Sequence, residues 1–126
     1  MNTKISVTKS PKSKDNRLIL SDYNEFGWAK QFLSDTEINF LQNAARNEIS
    51  SVFLPRISGT YFVQFLKEGE NEYYSKEDAR IAGNEILSTL NHYKIKSVTV
   101  SNYCQVNRTV DFIEGMALGN YQFLKY

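Results

Sequence analysis

The hydrophobic and polar positions of this chain follow two periods, one typical of strands and one typical of helices. Short runs rich in β-branched and aromatic residues predict strands at residues 4–8, 17–20, 52–54, 60–66 and 95–100. In residues 60–66 both alternating faces are largely apolar, which is typical of a strand covered on both sides. Residues 10–16 combine proline with serine, asparagine and aspartate, and predict a loop. Residues 21–33 contain aromatic residues that suit a core, but no clean period predicts their structure.

A capping box marks the start of the first predicted helix. Ser34 can accept a hydrogen bond from the backbone N–H of Glu37, and the Glu37 side chain can reach back to the backbone of Ser34. Apolar residues then recur at helical spacing along one face, at Ile38, Leu41, Ala45 and Ile49. The pattern predicts an amphipathic helix that buries this face.

A second helix is predicted over residues 76–91. Ser75 is its expected N-cap, and Glu77 and Asp78 place negative charge where the helix dipole favours it. One stripe of small and apolar residues follows helical spacing, at Ala79, Ala82, Gly83, Ile86 and Leu90. A strand follows this helix directly, so the order strand, helix, strand predicts a parallel crossover.

The last helix is predicted over residues 107–118. Its expected buried stripe is formed by Val106, Val110, Ile113 and Ala117, and Gly119 with Asn120 is expected to end it. Residues 121–126 are then expected to leave the helix as an extended aromatic segment. Together the elements predict one α/β domain over residues 1–126, with a mixed, mostly parallel sheet and helices on both of its faces.

Composition narrows the classes of function. A chain of 126 residues, 41% of them hydrophobic, can bury one packed core. The net charge of +1 gives no general attraction to nucleic acid or to an anionic membrane. No stretch approaches the roughly 20 apolar residues that span a bilayer. The only cysteine cannot form an intrachain disulfide, and residues 1–14 lack the apolar run of a secretory signal, so a cytoplasmic location is expected.

The candidate chemical groups do not form a complete catalytic site. His92 is the only histidine, which excludes a histidine-rich metal site, and Cys104 has no nucleophile motif around it and is interpreted as a core residue. Asp111 and Glu114 project on similar sides of the last helix and are interpreted as a solvated face. A basic cluster is interpreted as a solvated loop: Lys9, Lys12, Lys14 and Arg17. The glycines form no phosphate-binding loop.

One pattern over about residues 50–126 resembles a known family. The segments 79–83, 98–100 and 114–126 resemble the end of the N-terminal domain of the leucyl aminopeptidases, the cytosol aminopeptidase family. That family has Glu-Gly, an apolar helix end and then Tyr-x-Phe-x-x-Tyr before its catalytic domain. The residues that match this signature are Glu114, Gly115, Leu118, Tyr121, Phe123 and Tyr126. Residues 1–50 add only a compatible order of elements.

The resemblance implies a domain that is somewhat like a macro domain and stands before a two-metal peptidase domain. That catalytic domain would begin beyond Tyr126, and its Asn-Thr-Asp-Ala-Glu-Gly-Arg motif is absent here, so no catalytic, cofactor-binding or metal-ligating residue carries over. The parent would be a metal-dependent leucyl aminopeptidase using two divalent ions such as Zn or Mn. The implied role of this chain is non-catalytic: it would help sister subunits assemble, as hexamers in the family, and shape access to the active site. The six signature residues would lie at the domain interface.

Two other functions remain open. A stand-alone macro-like module could bind ADP-ribose or a nucleotide, although the chain lacks a glycine-rich phosphate loop. A nucleic-acid contact through residues 9–17 would require salt-sensitive binding and ranks last.

Overall fold

The computed structural model describes residues 4–7, 16–55, 59–95 and 97–124, with side chains described for residues 16–55, 59–95 and 97–118. The strands are β1 (Lys4–Val7), β2 (Arg17–Ser21), β3 (Ser51–Leu54), β4 (Tyr61–Phe65) and β5 (Ser97–Asn102). The helices are α1 (Asp35–Arg46), α2 (Glu72–His92) and α3 (Thr109–Leu124), and a short 3-10 helix spans Gly27–Gln31. That short helix lies in the stretch for which the sequence predicts no element.

The five strands form one mixed sheet in the order β1-β5-β2-β4-β3. The pairs β1–β5, β5–β2 and β2–β4 are parallel, and β3 is antiparallel to β4. All five residues of β2 and all five of β4 are buried, so both strands are covered on both sides, which confirms the prediction for residues 60–66. The predicted α/β class with a mostly parallel sheet is therefore confirmed.

Alternate residues of the strands feed two separate cores. On one face Leu18 and Phe62 pack with buried residues of α2 and α3. On the other face Ile19 and Val63 pack with α1 and with Trp28 of the 3-10 helix. Since successive strand side chains point to opposite faces, a single strand supports both helical layers. Helices on both faces of the sheet are thus confirmed.

The capping box of α1 forms as predicted. The hydroxyl of Ser34 accepts from the backbone N–H of Glu37 at 3.3 Å, and a Glu37 carboxylate oxygen accepts from the backbone N–H of Ser34 at 2.9 Å. The helix ends at Arg46, where Asn47 is its C-cap, and Glu48 follows with a φ of 57°. Ile49 therefore lies beyond the helix and is 48% exposed, so the predicted apolar face stops one turn early.

The second helix begins four residues before the predicted start. Asn71 is the N-cap, and its side-chain oxygen accepts from the backbone N–H of Tyr74 at 3.1 Å. Ser75, the predicted cap, is a buried residue of the helix, and its hydroxyl accepts from the backbone N–H of Gly69 at 2.8 Å. The first turn carries the exposed rings of Tyr73 and Tyr74, so no buried period marks it in the sequence. The predicted stripe of small and apolar residues is confirmed as buried: Ala79, Ala82, Gly83, Ile86 and Leu90.

The third helix differs from the prediction in two ways. It continues through Gly119 and Asn120 to Leu124, so residues 121–124 are helical and not extended, while Tyr126 lies outside the described residues. Gly119 and Asn120 have a low helix propensity, but this alone does not end the helix, and no proline follows them. The predicted stripe is also wrong, because Val110 and Ala117 are exposed, as is Val106 before the helix, and Ile113 is only half-buried. The buried residues of α3 among those with described side chains are Thr109, Phe112, Gly115 and Met116.

Candidate functional site

The signature residue Gly115 lies where α3 crosses α2. A Cβ built on Gly115 would overlap the carbonyl oxygen of Arg80, and one built on Gly83 would overlap the carbonyl oxygen of Phe112. Each helix therefore presents a glycine to the backbone of the other. This reciprocal contact explains which side of α3 is buried. Gly115 must face α2 because only a residue without a side chain fits there, and the β-branched residues Val110 and Ile113 are turned away as a result. We call the contact of Gly83 and Gly115 with the facing backbones the glycine crossing.

Arg80 joins the same two helices by ion pairs. Its guanidinium contacts the carboxylates of Glu114 at 3.1 Å, Glu77 at 2.6 Å and Asp111 at 3.3 Å. Hydrogen bonds to Glu114 and then Glu77 raise the pKa of Arg80 above its usual range. The interpretation of Asp111 and Glu114 as a simple solvated face is thus corrected, since both pair with Arg80. The signature residue Glu114 thus joins α3 to α2 by an ion pair.

The outer surface of α3 exposes apolar side chains beside the carboxylate of Glu114. Val110 is 69% exposed and Leu118 is 56% exposed, and Ala117 is exposed beside them. We call these three residues the outer face of α3. Helical spacing places Val110 and Ala117 on the same side of the helix, while Leu118 follows Glu114 by one turn, so the Glu114 carboxylate lies between Val110 and Leu118. The signature residues therefore lie in two different surroundings. Glu114 and Gly115 contact α2, whereas Leu118 is exposed to solvent. Tyr121 and Phe123 lie in the last turns of the same helix.

Arg108 anchors the start of α3. Its side chain is 3% exposed and contacts Glu68, in the loop after β4, at 2.8 Å and Glu72, in the first turn of α2, at 2.7 Å. The hydrogen bond from Arg108 lowers the pKa of Glu72 below its usual value. The arginine thus ties three segments together at one end of the α2–α3 pair. The sequence offers no signal for this cluster because its members lie 36 and 40 residues apart.

Acid is expected to weaken this anchor. The folded pKa of Glu72 lies below the unfolded value, so its contribution to stability is present above the unfolded pKa and is lost as the pH falls through the folded pKa. Replacing Arg108 with methionine is expected to lower the free energy of unfolding at pH 7 by about 1 kcal/mol. Urea unfolding of both proteins between pH 7 and pH 3 measures the difference, which should shrink below about pH 4.5. Glu72→Gln is the matched control, and its stability should depend less on pH over this range because the carboxylate is absent. If the stability difference between the parent and Arg108→Met stays constant with pH, the ion pair with Glu72 does not stabilise the fold.

A polar cleft of about 400 Å³ lies at the carboxyl ends of β2, β4 and β5. Asp22 follows β2 and accepts from the backbone N–H of Gln105 at 2.9 Å. Three carboxylates line the cleft, those of Asp22, Glu48 and Glu68, against the single ammonium of Lys67. Ligands of open α/β sheets bind at this edge, but an acidic lining repels a pyrophosphate. The cleft therefore does not favour ADP-ribose or a nucleotide.

The remaining candidate residues are Cys104, His92 and the basic cluster, and their contacts indicate packing and not catalysis. Burial raises the pKa of the Cys104 thiol to about 12, and the Asp22 carboxylate adds to this effect, so the thiol is protonated at neutral pH and is a poor nucleophile. His92 ends α2, with its ring 5.0 Å from that of Tyr93. Arg17 corrects the solvated-loop interpretation, because it is buried and its guanidinium lies 4.9 Å from the ring centre of Phe32. The three lysines of the basic cluster, Lys9, Lys12 and Lys14, lie outside the described residues.

In the described part of the chain, no three or more side chains of histidine, cysteine, aspartate or glutamate are placed to hold a metal ion. No described helix has the length and apolar character needed to cross a bilayer. Comparison of the whole chain with protein-family models, with curated protein sequences and with solved structures found no match in any of the three.

Proposed function

We propose that this chain is a non-catalytic N-terminal domain of a leucyl-aminopeptidase-like protein. In this proposal it supports the assembly of sister subunits and shapes access to a two-metal peptidase domain that would follow Tyr126. The observation that carries the proposal is the outer face of α3, which exposes apolar side chains on the same helix that holds the signature residues. Protein interfaces combine exposed apolar side chains with charged residues at their rim, and on this face Glu114 lies between Val110 and Leu118.

The different positions of the signature residues on α3 support the same proposal. Glu114 pairs with Arg80 and Gly115 contacts the backbone of α2, so this part of the signature holds the helix on its own domain. Leu118 lies one turn further along α3 and is solvent-exposed, and Tyr121 follows Ala117 by one turn. A helix that is held by its own domain and still exposes apolar side chains suits a connection between two domains.

The proposal assigns the chemistry to the partner domain. Two divalent ions such as Zn or Mn, and the residues that bind them, would belong to that catalytic domain. Cys104 is held protonated by burial, and Asp111 and Glu114 are both engaged by Arg80. These groups of the present chain are thus used for packing and for ion pairing.

The isolated chain is expected to have no peptidase activity. Incubation with leucine amide, in the presence of added Mn²⁺ or Zn²⁺, should release no ammonia above the level of a heat-denatured sample. The physical reason is that a two-metal hydrolysis needs a preorganised set of ligands around both ions. Metal-dependent turnover that co-purifies with the chain would overturn the proposal.

The outer face of α3 can be tested in the protein that carries the catalytic domain. Leu118→Glu places a charge in the proposed interface and should weaken assembly of the oligomer by at least about tenfold, because a buried unpaired charge costs more than 1.4 kcal/mol. Ile81→Glu is the matched control, since Ile81 is 55% exposed on the neighbouring helix. Sedimentation velocity measures the assembly of both. Equal behaviour of the two variants would contradict the assignment of this face.

A further inference from the structure

A second cavity adjoins the polar cleft at the carboxyl ends of β2, β4 and β5. It measures about 230 Å³ and lies between β4 and α2. Both cavities are lined by Tyr23, Glu48 and Lys67, so they meet along these three side chains. We call the combined space of the two cavities the acidic cleft.

The acidic cleft carries an excess of negative charge. Five carboxylates line it, and Lys67 supplies the only positive charge among the described residues that do so. Glu48 and Glu85 are exposed and form no ion pair or hydrogen bond within the described part of the chain. The other three carboxylates accept hydrogen bonds from the protein, at Asp22, Glu68 and Asp78. The cleft therefore attracts cations.

Gln64 adds an acceptor that is independent of these charges. The residue is 5% exposed and lines the cavity between β4 and α2. Its Nε2 donates to the carbonyl oxygens of Ser50 at 2.9 Å and Phe65 at 3.2 Å. Because a carbonyl oxygen accepts only from the nitrogen end of the amide, Oε1 is left to face the cavity. No described residue donates to this Oε1, whereas buried polar side chains ordinarily have their partners.

An aromatic ring lies where the two cavities meet. The ring of Tyr23 packs on that of Phe65 with centroids 5.0 Å apart. The Nζ of Lys67 lies 5.7 Å from the centre of the Tyr23 ring, so the protein already places an ammonium against this ring. Burial, and then the carboxylates of Asp78 and Glu48, raise the pKa of Tyr23. The ring therefore stays neutral and offers an apolar surface between the carboxylates.

The distribution of these groups determines which cation fits. A bound metal ion needs several oxygen ligands that converge on one point, and no three acidic side chains of the described chain are placed in this way. The carboxylates instead extend along the cleft, from Asp22 in the larger cavity to Glu85 in the smaller one. A ligand with separate positive charges and an apolar chain between them matches this arrangement.

We propose that the acidic cleft binds an aliphatic polyamine, a linear chain of methylene groups that carries several ammonium groups. One ammonium lies in the smaller cavity, where it donates to the Glu85 carboxylate and to Oε1 of Gln64. A second ammonium pairs with Glu48, and the methylene groups between them lie on the ring of Tyr23. An ammonium has only donors, which suits a lining composed mainly of acceptors. This inference is independent of the proposed function, which concerns the outer face of α3.

Equilibrium dialysis with radiolabelled spermidine tests the site in the unmodified chain. Butylamine is the matched competitor, because it has a similar apolar chain but a single ammonium. Displacement of spermidine should need at least about fivefold more butylamine than unlabelled spermidine, since butylamine lacks the second ion pair. Magnesium chloride should displace no more spermidine than sodium chloride of the same ionic strength, because the carboxylates do not converge on one ion.

Two substitutions locate the binding. Glu48→Gln and Glu85→Gln are each expected to weaken spermidine binding by about fivefold. Neither carboxylate is used in an ion pair or hydrogen bond of the described fold, so both variants should unfold at the temperature of the parent. Asp35→Asn is the matched control, because it removes the same charge from the first turn of α1, whereas the cleft lies beyond the last turn.

Three results would overturn the proposal. The first is an absence of spermidine retention by the folded chain, and the second is equal competition by butylamine and spermidine. The third is a loss of affinity in Asp35→Asn as large as that in Glu48→Gln and Glu85→Gln, which would show a general attraction to the protein surface. Selective displacement by magnesium would likewise contradict a polyamine site and indicate a metal site.

Discussion

Replacing Gly115 with alanine is expected to destabilise the domain by about 3 kcal/mol, the upper range for overpacking. The added methyl group would overlap the carbonyl oxygen of Arg80, which is backbone and cannot rotate away. The helices α2 and α3 would have to separate, and the buried side chains of Phe112 and Met116 would lose contacts. Urea unfolding at equilibrium measures the change.

Gly27→Ala is the matched control for this substitution. A Cβ on Gly27 would lie 3.1 Å from a carboxylate oxygen of Glu25, the far end of a flexible side chain that can move. Its effect should therefore stay within about 1 kcal/mol. If Gly115→Ala unfolds at the same urea concentration as Gly27→Ala, the glycine crossing does not set the distance between the two helices.

Replacing Phe112 with alanine is expected to lower the free energy of unfolding by about 4 kcal/mol. The Phe112 side chain is fully buried, and it fills the space between α2, α3 and one face of the sheet. Because its carbonyl lies against Gly83, the backbone there cannot shift inward to close the cavity. Chemical unfolding monitored by far-ultraviolet circular dichroism measures the loss.

Val110→Ala provides the comparison on the same helix. Val110 is two residues away and 69% exposed, so its truncation should change stability by no more than about 0.5 kcal/mol. The sequence pattern assigns the opposite roles, with Val110 buried and Phe112 outside the stripe. A larger effect at Val110 than at Phe112 would restore that pattern and would contradict the described register of α3.

Local signals predicted much of the fold. The capping box at Ser34 and Glu37 needs only residues three apart, and the structure confirms it. The two-sided burial of β4 follows from its apolar alternation, and the parallel arrangement follows from the order of strands and helices. These features depend on periods of two or 3.6 residues, which are visible in the sequence itself.

Contacts between distant residues were not predictable in the same way. The register of α3 depends on Gly115 meeting Arg80, a contact that hydrophobicity does not encode because glycine has no side chain. The ion pair of Arg80 with Glu114 joins residues 34 apart, and Arg108 reaches still further. The start of α2 was missed since its first turn faces solvent at Tyr73 and Tyr74.

The signature residues do not all have the same role in the structure. Glu114 and Gly115 hold α3 on α2, so these two residues have a structural role within this domain. Leu118 is exposed and has no such role among the described contacts, which is why we place it in the proposed interface. The family assignment itself stays a prediction.

The length of the native protein tests that prediction most directly. Intact mass and peptide coverage of the protein isolated from its source cells would show whether the chain continues. We expect peptides that extend past Tyr126, in a product several times larger than this chain that hydrolyses leucine amide with a divalent metal. A native product that ends at Tyr126 would contradict it, and the domain would then be an independent module.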